Sequence, residues 1–374
     1  MTTRERCLNL LHYKSVDRMP AVHFGYWKEL LDEWAEAGYI SRDLADGAIG
    51  DGSAAQRELD KMLGWDCNWY NCVSANKGLF PRFEKKVLEV MKDGSHRVVT
   101  PDGVIERIKP GVVSIPSEDD YLLKDREAFE ELFLPKMQFS AERVNAERIK
   151  AVFEEKHKED IPVGLHLGSV MGDIRNYTTV MGMSYLLYDE DEDLFADIVD
   201  AYADMQYKCA EAVLSLGLPF DFAHYWEDIC FKNGPLLSPS VFNELTAKHY
   251  KKRNELCHKY GIDIISLDCD GVTEALIPTW LENGVNVLFP IEIGTWGDQF
   301  EPARKKYGEK ILGVGAMDKT ALRKDRAAVD AELERIRRLA SMGGFIPCPD
   351  HRIMPGSKFE LVQYYAEEVK KITV

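Results

Sequence analysis

Ile262-Asp263-Ile264-Ile265-Ser266-Leu267 is a largely apolar run that stops on Asp268-Cys269-Asp270-Gly271. A helical stretch follows over residues 272–283, and a second apolar run over residues 285–291 ends on Glu292. A β-rich run, an amphipathic segment and another β-rich run form one strand–helix–strand unit, which makes its two strands parallel. The alternation recurs in both directions along the chain. Further strand-like runs occupy residues 21–24, 161–167, 220–226, 311–316 and 344–347, with a less regular one near 67–72. Further helical stretches lie at 194–216, 239–260, 300–307 and 326–342. In the first of these Leu194, Ile198, Val199, Tyr202, Met205, Cys209 and Val213 recur at helical spacing. About eight such rounds in 374 residues predict an α/β fold, a (β/α)8 TIM barrel forming one domain over residues 1–374. The competing open, doubly wound sheet is weakened because no GxGxxG follows a strand. One stretch breaks the rhythm. Two alternating runs flank Pro101-Asp102-Gly103, which predicts an antiparallel β-hairpin inserted near residues 95–108. Such an insertion suits a lid or a subunit contact, and leaves a homodimer open.

Composition excludes several classes. Asp and Glu outnumber Lys and Arg by 63 to 47, a net charge of −16 that repels a nucleic-acid backbone. No apolar run approaches the ~20 residues of a membrane span, and no basic amphipathic helix suits a membrane surface. The first residues lack a secretory profile, so a cytoplasmic location is expected. The eight Cys include no CxxC pair, which removes zinc ribbons, iron–sulfur runs and thioredoxin-like motifs. Neither GxSxG nor GxxxxGK[ST] occurs.

In an α/β barrel the active site lies at the C-terminal strand ends, so the informative residues are those at which the apolar runs stop. The first run leads to His23, Tyr26 and Trp27, and the 161–167 run ends near His166. The 220–226 run reaches His224-Tyr225-Trp226-Glu227-Asp228, and the last run ends in Cys348-Pro349-Asp350-His351. Asp268 and Asp270, two apart at a strand end, project to one side. Their like charges require a cation or donor between them. A divalent metal shared with His351 meets that need, since zinc accepts carboxylate oxygen and imidazole nitrogen. The plainer alternative is that one of the two aspartates caps the helix expected from residue 272. His224 and Glu227 suit proton transfer or substrate orientation, or else are a satisfied core histidine and a surface acid. His23 and His166 carry the same two readings, Cys269 reads as core, and Cys348 reads as core or loop, or else as a ligand or nucleophile.

Several segments carry a family likeness: Arg4-Glu5-Arg6-Cys7-Leu8-Asn9-Leu10-Leu11, Val16-Asp17-Arg18-Met19-Pro20, Asn233-Gly234-Pro235-Leu236-Leu237-Ser238-Pro239 and Gly315-Ala316-Met317-Asp318-Lys319. Together with Asp268-Cys269-Asp270-Gly271 and the segment from Gly343 to Ile353, they resemble the uroporphyrinogen decarboxylase superfamily, which includes corrinoid-dependent methyltransferases. The likeness covers nearly the whole chain and implies a barrel with its cleft at the C-terminal face. The decarboxylase branch carries an Arg-rich signature after its first strand. Here that stretch, Val22-His23-Phe24-Gly25-Tyr26-Trp27, has no Arg, so uroporphyrinogen is an unexpected substrate. In the thiol-methylating branch a His-x-Cys pair and a later Cys hold zinc. The matching positions here look like Asp268, Asp270 and His351. That harder ligand set resembles methyltransferases that demethylate aryl methyl ethers and pass the methyl group to the cob(I)alamin of a separate corrinoid protein.

The resemblance therefore implies a zinc-dependent O-demethylating methyltransferase. Asp268, Asp270 and His351 would hold zinc, and Glu227 and His224 would be catalytic. His23, Tyr26, Trp27, His166 and Glu292 would bind a small methoxylated substrate, with cobalamin arriving on a corrinoid protein partner. The alternatives are a metal-free decarboxylase or lyase acting on a small acid, and a non-catalytic ligand-binding barrel.

Overall fold

The computed structural model describes residues 1–109, 117–188, 191, 193–297 and 299–373. In chain order the strands begin with β1 (Val22–His23), β2 (Cys67–Asn68) and β3 (Cys72–Val73). Four strands follow: β4 (Lys86–Val90), β5 (His96–Val99), β6 (Val104–Ile108) and β7 (Ser117–Tyr121). Then come β8 (Gly164–Gly168), β9 (Phe222–Trp226) and the short pair β10 (Cys230–Phe231) and β11 (Gly234–Pro235). The last are β12 (Ile265–Asp268), β13 (Val287–Phe289), β14 (Leu312–Met317) and β15 (Phe345–Pro349).

Seven of these form a parallel central sheet in the order β15-β14-β13-β12-β9-β8-β3, and β1 pairs in parallel with β2 alone. All six residues of β14 are buried, as parallel strands covered on both faces require. The α/β class read from the alternation is therefore present. A single closed ladder is not, and the break has a local cause. The run expected as one strand near 67–72 splits at Trp69-Tyr70-Asn71. The Asn68 side chain accepts from the Tyr70 amide at 2.7 Å, and the Cys72 amide donates back to the Tyr70 carbonyl at 2.6 Å. The chain turns there, so β2 and β3 serve different neighbours. One isolated parallel bridge, Tyr26 to Ile353, joins the segments that follow β1 and β15.

Helices cover the sheet through stripes legible in the sequence. Leu194–Leu214 buries all seven residues of its expected face. Arg326–Ala340 is capped by Asp325, which accepts from the Ala328 amide, and buries Val329, Leu333, Ile336 and Leu339. The helix expected from residue 272 begins only at Ile277 and runs to Glu282. Residues 271–276 are held elsewhere: the Val272 amide donates to the Phe231 carbonyl at 3.0 Å. Gly271, at φ 91°, lies so close to β10 that a Cβ would stand 2.7 Å from the Cys230 carbonyl carbon. Neither Asp268 nor Asp270 is therefore a helix cap.

The inserted hairpin is present as β5 and β6, paired antiparallel around Pro101-Asp102-Gly103. It sits within a four-stranded antiparallel sheet completed by β4 and β7. Among the described residues no helix is long and apolar enough to cross a membrane.

Candidate active site

A cavity of about 710 Å³ opens at the C-terminal ends of the central strands. Trp27, Phe231, Trp296 and Met354 give it apolar walls, and Asp228, Asp270, Glu292 and His351 face it with Arg175 and Lys319. The chain reaches it through strained turns. Asp228 (φ 49°), Ile291 (φ 54°) and Ala316 (φ 63°) hold left-handed conformations at or just past the ends of β9, β13 and β14. Such non-glycine geometry costs about 1–3 kcal/mol and persists where the surroundings enforce it. Asp350, fully buried after β15, supplies part of that enforcement. Its carboxylate accepts from the amides of Ile293 (3.0 Å), Gly294 (2.8 Å) and Lys319 (3.1 Å), and from the Lys319 ammonium (3.2 Å). One side chain thus ties three strand-end loops together.

Asp270 and His351 meet at the cavity wall, with Oδ2 and Nε2 3.3 Å apart. The His351 ring stacks on Trp27 with centroids 5.8 Å apart and takes the edge of Phe24. Its Nδ1 accepts from the Arg352 amide at 2.8 Å, so the neutral ring carries its proton on Nε2. Asp268 lies deeper, 5% exposed, and accepts the hydroxyl hydrogen of Tyr70. Burial first, and then the charge of Asp270, push the Asp268 carboxyl well above the usual range. Burial and Asp270 also raise Glu292 and Asp228. Glu292 accepts from the Gly271 amide (3.2 Å) and the Trp296 indole, with the Lys319 ammonium 3.7 Å away.

This geometry bears on the zinc set read from Asp268, Asp270 and His351. Only two of the three face the cavity, and Asp268 is engaged by Tyr70. The His351 nitrogen nearest Asp270 is the one that carries the proton, whereas a metal ligand must present a bare nitrogen. Among the described residues no three His, Cys, Asp or Glu side chains are gathered to hold a metal ion. As arranged, these residues do not fit a zinc.

The other expected site residues divide sharply. Trp27 and Glu292 line the cavity. Glu227 does not. Fully buried, it accepts from the Ser169 hydroxyl (3.0 Å), the amides of Val170 (2.8 Å), Met171 (2.9 Å) and Gly172 (2.9 Å), and the Tyr250 hydroxyl. It satisfies the N-terminus of helix Met171–Leu187, an ordinary place for a carboxylate. His224 is buried against Tyr70 and Phe289, and burial lowers it to about 3, so it stays neutral rather than exchanging protons. His166, likewise held neutral by burial, has its Nδ1 2.6 Å from the Lys77 ammonium. His23 lies 2.9 Å from Asp60, which also accepts from the Tyr26 hydroxyl at 3.0 Å, and both rings are away from the cavity wall.

Sequence reasoning missed Tyr70, Asp228, Arg175, Lys319 and Trp296. Asp228 stood one residue from Glu227 in the same quoted run. Its left-handed backbone sends the acid after Glu227 to the cavity, which strand alternation does not anticipate.

A comparison with curated protein sequences finds no match. Among solved structures, a methyltransferase from Methanosarcina mazei superposes with a TM-score of 0.62 at 14% identity, over 99% of this chain and 99% of that one. A B12-independent methionine synthase from Shewanella sp. is similar more distantly, with a TM-score of 0.48 at 13% identity over 95% of this chain and 98% of that one. Residues 175–372 match the profile of the uroporphyrinogen decarboxylase (URO-D) family. That match spans more than half of the chain, which therefore belongs to the uroporphyrinogen decarboxylase family.

Proposed function

We propose that this protein is a methyltransferase that takes a methyl group from a small methoxylated aromatic substrate and passes it to the cob(I)alamin of a separate corrinoid protein. On this reading β1, the split β2–β3 stretch, β8, β9 and β12 to β15 form a (β/α)8 barrel, joined at its seam by the Tyr26–Ile353 bridge. The observation that carries the reading is the pairing of an aromatic-walled cavity with the Asp270–His351 couple at 3.3 Å. Family membership and the shared fold of the Methanosarcina mazei methyltransferase support it.

The side chains divide the work. Trp27, Trp296 and Phe231 flank an aromatic ring and exclude water from it. His351, its ring held by the Arg352 amide and stacked on Trp27, donates its Nε2 hydrogen toward the ether oxygen and orients it. As the methyl–oxygen bond breaks, its electron pair stays on oxygen and the methyl carbon bonds to the acceptor. The oxygen then needs a proton. Glu292, whose carboxyl is raised and lines the cavity, supplies it. The carboxylate left behind faces the Lys319 ammonium at 3.7 Å.

The test is methyl transfer from methoxylated aromatics to a reduced corrinoid protein, with Glu292→Gln and His351→Ala variants beside the parent. Transfer that is lost in both variants supports the assignment, and transfer unchanged in both sinks it. Elemental analysis of the parent and an Asp270→Ala variant settles the metal question. About one zinc per chain in the parent, and none in the variant, would mean that Asp268 and His351 rearrange on loading.

A second reading is favoured by one observation. Asp268, kept protonated by burial and bonded to Tyr70, is a proton donor suited to a metal-free decarboxylase. Carbon dioxide release from a small acid, unaffected by a chelator, is its signature.

A further inference from the structure

The cavity is unevenly charged. Glu29, Asp228, Asp270 and Glu292 line it against two cations, Arg175 and Lys319. Neither cation is left for a ligand. The Arg175 guanidinium lies 3.3 Å from the Asp228 carboxylate and also donates to the Asp228 carbonyl oxygen. Lys319 is matched by the fully buried Asp350 at 3.2 Å. With those pairs set aside, no cation of the cavity wall is left to match Glu29 and Asp270, and Glu292, when ionised, has only the same Lys319, 3.7 Å away and already shared with Asp350.

An anion entering this space meets an excess of like charge and, among the described residues lining it, no unpaired Lys or Arg to receive it, and like-charge juxtaposition is a strong rejecting device. An ammonium meets the opposite field. Two indoles, Trp27 and Trp296, line the same cavity, and aromatic faces attract such cations. We propose, building on the methyltransferase reading, that the cavity selects a methyl donor carrying an ammonium group and rejects carboxylate-bearing methyl ethers. The selection lies in the charge of the ring substituent. Its methoxy group is the one addressed by His351 and Glu292.

Three ligands on one frame test this: 3-methoxybenzylamine, 3-methoxybenzyl alcohol and 3-methoxybenzoate, titrated calorimetrically into the full chain at neutral pH. The amine should bind about tenfold or more tighter than the benzoate, with the alcohol between them, a gap of the size a partly desolvated cation site gives. Added salt should narrow the gap. The Asp228→Asn variant, which keeps a side chain tolerant of the left-handed backbone, releases Arg175 and should shrink or invert the preference. Benzoate binding as tightly as the amine would overturn the charge selection, and methyl transfer from it to reduced corrinoid would leave the methyltransferase reading standing. Failure of all three to bind would overturn both.

Discussion

Two groups of polar residues stand at strand ends and share the same residue types, yet they perform opposite work. After β12 and β15, Asp270 and His351 meet at a cavity wall with part of their hydrogen-bonding capacity turned to open space. Within β8 and β9 and just past β9, His166, His224 and Glu227 are enclosed, and Glu227 accepts five hydrogen bonds. A strand-end acid or histidine is thus a candidate only until its partners are counted. Capacity already filled by the backbone is structure, and capacity left facing a cavity is available for chemistry.

The contrast breaks most visibly in activity. Glu292→Gln should lower kcat/KM by about 10²–10⁴-fold, the span typical of a lost proton donor, while thermal stability barely moves. The pH profile sharpens this. Because the Glu292 carboxyl is raised, it is protonated below its shifted value, so the parent's activity should fall as pH rises through it. The variant should lack that limb, and an identical limb in both would assign the titration to another group.

At the other strand end the loss should be in stability. Glu227→Ala strands several buried donors, each costing about 1–3 kcal/mol, and should lower the unfolding free energy by about 3 kcal/mol or more in a denaturant titration. A variant that is fully stable yet inactive would return Glu227 to the catalytic role its position suggested.

A smaller effect concerns Asp173, in the first turn of the helix that Glu227 caps. Burial raises it to about 6, while Tyr202 donates to it at 2.8 Å. The folded state therefore holds a proton that the unfolded state releases near 4. The associated stability, on the order of 3 kcal/mol, is full below pH about 4 and lost as pH rises through about 6. Asp173→Asn should flatten that part of the stability-versus-pH curve. The smallest change is at the cavity mouth. Trp27 is 38% exposed, so Trp27→Ala should weaken substrate binding severalfold by calorimetry and alter stability by about 0.5 kcal/mol or less.

Much of this was legible in the residues. The alternation of apolar runs and amphipathic stretches located the central strands within a few residues, and Pro101-Asp102-Gly103 marked a hairpin. The strands β4 and β7 were not legible. Lys86–Val90 leaves Val87, Leu88 and Val90 all exposed, and Ser117–Tyr121 is mostly acidic, so neither shows the apolar–polar alternation of a half-buried strand. Trp27, Asp270, Glu292 and His351 were found as cavity residues because each follows an apolar run. Tyr70, which holds the buried Asp268, was not found, because it sits in the turn that splits an expected strand.

The sequence by itself determined the α/β class, the helix faces and the strand ends at which chemistry gathers, since these follow from local periodicity and the burial it demands. Only the tertiary structure decided which strand-end residues face the cavity. Whether Glu227 caps a helix or Asp228 faces the cavity depends on a left-handed turn and on amides from residues about 55 positions away. Those are long-range constraints. A side chain's protonation and availability depend on which distant groups pack against it, and no local pattern contains that information.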